Sequence, residues 1–71
     1  MPKLPVISGQ ECVKALQKAG FEIRKQKGSH IKLRRDERTV IVPNHKELDR
    51  GTLKSIIDQA RIDLDKFLEL L

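Results

Sequence analysis

The chain is short of the residues that most often carry structure or chemistry in a small protein. It has two aromatic residues, Phe21 and Phe67, and neither Tyr nor Trp. Single-strand binders that tolerate any sequence stack bases on exposed aromatic rings, and this chain has almost none to spare. Recognition of a nucleic acid would therefore run through phosphates, riboses and backbone shape. One cysteine, Cys12, excludes an internal disulfide and fits a reducing compartment. No apolar run approaches the about 18 residues of a membrane span, and the N-terminal residues do not resemble a secretory signal. These absences predict a soluble, cytoplasmic, single small domain. A chain of 71 residues has little surface to bury and no staple, so its core must be well patterned.

Positive charge is abundant and concentrated. Residues 24–38 hold Arg24, Lys25, Lys27, Lys32, Arg34, Arg35 and Arg38 against Asp36 and Glu37, a local net of +5. The remainder of the chain is neutral, with eight basic and eight acidic residues. The basic stretch surrounds Gly28-Ser29-His30. A localised positive field holding the side-chain type that titrates near neutrality points to a phosphate-handling surface with a proton-transfer group in it.

The patterning predicts the elements. Residues 1–7, with two prolines, read as an extended lead-in. Ser8 and Glu11 form a capping-box pattern ahead of Cys12, Ala15, Leu16 and Ala19 at helical spacing, and Gly20 suits the C-terminal position. From Phe21 the period changes to two, with Phe21, Ile23 and Lys25 alternating against Glu22, Arg24 and Gln26. Lys27-Gly28-Ser29 is a turn. Residues 30–34 form a strand with Ile31 and Leu33 on one face, and His30, Lys32 and Arg34 on the other. Residues 35–38 make a charged hairpin turn, and 39–42 a third strand with Val40 and Val42 inward and Ile41 outward. Residues 44–50 are a polar connection. Leu53, Ile56, Ile57 and Ala60 then repeat the helical spacing, as do Leu64, Phe67, Leu68 and Leu71, with Asp63 as the N-cap between the two helices. The order α-β-β-β-α-α predicts an α+β fold: a three-stranded antiparallel sheet with helices on one face. The open face would display His30, Lys32 and Arg34, with Arg24 on the neighbouring strand.

Several motifs together resemble a known family. They are Ala19-Gly20-Phe21 closing the first helix, Lys27-Gly28-Ser29-His30 opening a strand, Val40-Ile41-Val42-Pro43, and Leu48-Asp49-Arg50-Gly51-Thr52-Leu53-Lys54-Ser55-Ile56. The chain is similar to the HicA (YcfA-like) toxins up to about Ile62. The resemblance implies a double-stranded-RNA-binding-domain-like αβββα fold. It also implies messenger-RNA cleavage without a metal or other cofactor, and neutralisation by a HicB-type antitoxin covering the active site. The family's catalytic histidine falls on His30, and its preceding glycine and serine on Gly28 and Ser29. Many members carry a second histidine directly after the motif, where this chain has Ile31, and His or Pro where it has Asn44 and His45. A one-histidine mechanism is compatible with these departures. Residues 63–71 read as an extra C-terminal helix beyond a core of about 8–62.

RNA brings its own nucleophile, the ribose 2′-hydroxyl, and one imidazole suffices as general base. Lys27, Lys32 and Arg34 are candidates to stabilise the phosphoryl charge. Arg24, Gly28, Ser29 and Lys54 complete the expected RNA contacts. Gly51-Thr52 opens the second helix either as a plain helix entry or as a phosphate contact ringed by Lys46, Arg50 and Lys54. His45 reads as solvated and Cys12 as a core residue. Two histidines fifteen residues apart match no familiar metal-ligand spacing. Two other readings of the basic face stay open, a non-catalytic RNA-binding module and a surface that docks an acidic protein.

Overall fold

Each long helix begins where the sequence offers a cap. In the computed structural model, which describes residues 3–71, Ser8 Oγ accepts the Glu11 N–H at 3.1 Å and Glu11 Oε1 accepts the Ser8 N–H at 3.1 Å. This reciprocal pair starts helix α1 (Gly9–Lys18) and satisfies two donors that the first turn would otherwise leave open. Gly20, at φ +97°, ends it. Residues 3–7, expected as an extended lead-in, have no regular secondary structure; Met1 and Pro2 lie outside the described residues.

Strands β1 (Glu22–Lys27), β2 (His30–Arg35) and β3 (Arg38–Pro43) form one antiparallel sheet in the order β1-β2-β3. The second hairpin is tighter than the charge pattern implied. Its turn is only Asp36-Glu37, with Asp36 at φ +53° and the Arg34 Nε–H donating to the Asp36 carbonyl at 2.8 Å. Helices α2 (Arg50–Ala60) and α3 (Leu64–Leu70) follow.

Alternation sorts the sheet into two faces. Ile31, Leu33, Val40 and Val42 are buried beneath Cys12, Leu16, Leu53, Ile56 and Phe67. The intervening residues of β2 and β3 are exposed or half-buried. α2 packs on β3, α1 touches β1 and β3, and α3 rests on α1. The expected α+β arrangement of order αβββα is thus present, followed by the further helix α3, with one face of the sheet covered and one open. The covering is incomplete over β1. Ile23 pairs with Leu33 on the covered side yet remains 46% exposed, and all six β1 residues are exposed.

Two core residues lie in segments that read as connections. Ile7 and Leu48 are both buried, and the Leu48 N–H donates to the Ile7 carbonyl at 2.8 Å. Leu48 is a single apolar residue in a polar run, and Ile7 ends a proline-broken stretch; neither carries a helical or strand period, so pattern reading passes over both. Asp63 does precede α3, but its side chain makes no capping hydrogen bond. Phe67 anchors that helix in the core with no exposed surface, whereas Leu71 is exposed.

Candidate functional site

His30 owes its position to the turn before it. Gly28 has φ +58° and Ser29 does not share the positive sign, the φ pattern of a two-residue II′ hairpin with glycine first. A Cβ built on Gly28 would meet nothing within 4 Å. Glycine is needed there for its conformation, and the space around it leaves the turn open to a ligand. The Ser29 carbonyl accepts the Asn44 N–H, continuing the β2–β3 pairing past Pro43. Asn44 is held in turn by the Gln10 Nε2–H at 3.0 Å, and the Gly9 N–H donates to the His45 carbonyl at 2.9 Å. A Cβ at Gly9 would collide with the Pro43 carbonyl oxygen. The first turn of α1 therefore braces the chain segment that backs the Gly28-Ser29-His30 end of the sheet. The sequence signal for this brace was a glycine directly after the capping serine, which the capping box alone does not explain.

The open face is organised in rows across the strands. Lys27, His30 and Pro43 form the first, Lys25, Lys32 and Ile41 the second, and Glu22, Arg34 and Thr39 the third. Opposed side chains in such rows have Cβ atoms about 5 Å apart. Lys27 and Lys32 thus flank His30, one across the ladder and one along the strand. Lys25 joins them, against the alternation that paired it with Ile23. The register of β1 shifts between Ile23 and Lys25, leaving Arg24 unpaired as a bulge and turning Lys25 to the open face.

The arginines differ from the lysines. Arg24 Nη1 lies 3.6 Å from Glu22 Oε2, Arg34 is bonded to the Asp36 carbonyl, and Arg35 Nη1 donates to the Ala19 carbonyl at 2.6 Å. Lys25, Lys27 and Lys32 make no ion pair or side-chain hydrogen bond among the described residues. Arg34 is four residues from His30 along β2, about 13 Å at strand rise. Lys54 is not brought to this site. Its Nζ lies 3.3 Å from Asp58 Oδ2, and it lines a separate groove with Leu4, Ile57 and Leu64. Thr52, Ser55 and Gln59 of α2 lie beside His30 instead, because residue 54 points to another side of that helix.

Between β3 and α2 runs a shallow groove of 380 Å³ with His30 in its wall, joined by Ile41, Pro43, Thr52, Ser55 and Gln59. The start of α2 is already capped. Asp49 Oδ1 accepts the Thr52 N–H at 2.7 Å. That backbone bond, a side-chain bond with Thr52 and the nearby His45 hold the Asp49 carboxyl below the usual carboxylate range. A phosphate at Gly51-Thr52 would face this carboxylate and find the Thr52 donor engaged, so the plain helix-entry reading fits better. Asp49 sits inside a run of polar residues, where nothing but its distance from Thr52 marks it as a cap. His45 does not line the groove. Burial pushes the Cys12 thiol up to about 12 and keeps it protonated, in keeping with a core residue rather than a nucleophile. No three His, Cys, Asp or Glu side chains among the described residues converge as metal ligands do. No helix among them is long and apolar enough to cross a membrane.

A sheet with one helix-covered face and one open basic face defines a small αβββα-like domain with a surface suited to polyanions. The chain belongs to the HicA toxin family: residues 9–62 match the family described as the HicA toxin of bacterial toxin–antitoxin. Members are toxins of toxin–antitoxin systems and generally endoribonucleases, with RNA as substrate and an antitoxin as partner. Gly28-Ser29-His30 and the groove residues of α2 all lie within the matched region, and α3 lies outside it. No curated protein matches the chain.

Proposed function

We propose that this toxin cuts messenger RNA through His30, without a metal ion. The observation that carries the proposal is the position of His30 on the open face, directly opposite Lys27 and one row from Lys25 and Lys32. In this scheme the imidazole removes the proton of a ribose 2′-hydroxyl. The 2′-oxygen attacks the adjacent phosphorus, the P–O5′ bond breaks, and the products carry a 2′,3′-cyclic phosphate and a 5′-hydroxyl. The departing 5′-oxygen takes its proton from water. The lysines stabilise charge on the phosphoryl oxygens, an effect strongest where the donors are already in place.

The pairing of Lys25 with Lys32 supports a polyanionic partner. Like charges directly opposite on a sheet face cost stability, and a row of phosphates offsets that cost. Gly28 and Ser29 hold the turn open to the backbone of the RNA. Arg34 and Arg24 extend the basic track away from His30, and Lys54 makes at most a remote contact. A HicB-type antitoxin would neutralise the toxin by laying an acidic surface over the same face. Residues 9–62 would form the shared toxin domain, with α3 as an addition that completes its core.

The test is RNA cleavage by purified wild-type and His30→Ala protein, with circular dichroism as the check on folding. Wild-type cleavage that disappears in a folded variant supports the proposal. Equal cleavage by both proteins overturns the role of His30. Equal, salt-sensitive binding without cleavage by either reassigns the face to a non-catalytic RNA-binding module.

A further inference from the structure

The groove beside His30 differs in character from the face around it. The open sheet is lined with lysines, yet apart from His30 no ionisable side chain lines the groove. One wall offers apolar surface, Pro43 and the 50%-exposed Ile41. The other offers hydroxyl and amide groups, Thr52, Ser55 and Gln59, at i, i+3 and i+7 on one stripe of α2. With the Asp49 carboxylate at the helix start, the groove is a poor place for a phosphate. Its 380 Å³ is near the lower end of the about 300–1,000 Å³ typical of small-ligand sites.

From this contrast we infer that the groove is a nucleobase subsite, holding the base of a nucleotide next to the cleaved phosphate and setting which sequences are cut. The inference rests on the reading of the open face as an RNA-cutting surface. A nucleobase is a flat ring with a polar edge, and single-stranded RNA is read by packing the ring and hydrogen-bonding the edge. Ile41 and Pro43 take the ring in place of the missing aromatic side chains. Ser55 and Gln59 meet the edge. The Gln59 amide presents one donor group and one acceptor, the combination that matches the N6/N7 edge of adenine. The lysines bind the backbone regardless of sequence; the groove adds the preference. The near absence of aromatics points to recognition through phosphates, riboses and backbone shape, and the packing of α2 against β3 provides a second route.

The test measures binding of short single-stranded RNAs that differ at one base, to wild-type, Gln59→Ala and Ile41→Ser proteins, across a salt series. Wild type should prefer adenine at one position by about tenfold, the scale of one good base contact at 1–3 kcal/mol. Gln59→Ala should lose most of that preference while the slope of log K against log salt stays unchanged, since no phosphate contact is removed. Ile41→Ser should weaken all sequences equally at that position. Equal affinity for every base in wild type, or an unchanged preference in Gln59→Ala, overturns the subsite. Because the readout is binding, it stands apart from catalysis: loss of cleavage in His30→Ala concerns the reaction, and base preference concerns the groove. If wild type binds RNA with a preference that Gln59 controls but cuts nothing, the subsite holds and the nuclease reading fails.

Discussion

Along β2, consecutive residues lead opposite lives. Ile31 and Leu33 are buried, while His30, Lys32 and Arg34 between and beside them are exposed. β3 repeats the contrast, with Val40 and Val42 inside and Ile41 outside. The covered face is apolar and saturated with partners, and the open face is cationic with partners missing. Within the open face a second contrast appears. Towards Asp36, arginines are tied to Glu22 or to backbone carbonyls; towards His30, lysines are not. Charge density alone treats residues 24–38 as one basic stretch. The geometry divides it into an end occupied with holding hairpins and helix termini together, and an end whose charges await a ligand.

Substitutions should separate these regions, beginning with the largest effect. His30→Ala should lower RNA cleavage by about 10²–10⁴-fold, the usual range for a general base, with an unchanged urea midpoint. A coupled loss of stability would mean that the open face also holds the fold. Phe67→Ala should do the reverse. Removing a fully buried Phe costs about 3–5 kcal/mol, a large share of the total stability of so small a domain. Urea titration should show that loss, with the cleavage rate per folded molecule retained.

The contrast between the two ends of the open face is sharper in salt. Lys27→Ala and Lys32→Ala should each reduce the slope of log K for RNA against log salt by about 1. Arg34→Ala should reduce it by less, because its guanidinium is engaged at the hairpin. Equal slopes would erase the distinction. Gly28→Ala should cost about 1 kcal/mol by thermal or urea unfolding, from placing a Cβ at positive φ. The smallest effect is a pH dependence at Asp49. Its folded carboxyl titrates below its unfolded value, so its contribution is present above about pH 4 and lost as pH falls through the folded value. Asp49→Ala should flatten that acid limb of the stability curve.

The parts of the fold that repeat were legible in the sequence. The capping box at Ser8 and Glu11, the alternation of β2 and β3 and the apolar stripes of α1 and α2 each write one physical requirement several times over. Features written once were not. The β1 bulge at Arg24 is a backbone event with no residue of its own, so the outward turn of Lys25 could not be read from alternation. Leu48 and Ile7 enter the core singly from irregular segments. Lys54 was grouped with His30 through its neighbours in sequence, whereas the helical rotation that separates residue 54 from Thr52 and Ser55 directs it elsewhere. His30 itself was legible because glycine, charge and strand period coincide around it. The groove beside it was not, since it exists only where α2 meets β3.

The most direct test of the central claim is product analysis after incubating RNA with wild-type and His30→Ala protein in EDTA. The account predicts fragments ending in 2′,3′-cyclic phosphate and beginning with a 5′-hydroxyl, formed by wild type alone. Cleavage that stops in EDTA would contradict the metal-free reaction, and 3′-hydroxyl ends with 5′-phosphates would contradict the 2′-hydroxyl mechanism by placing the nucleophile outside the RNA.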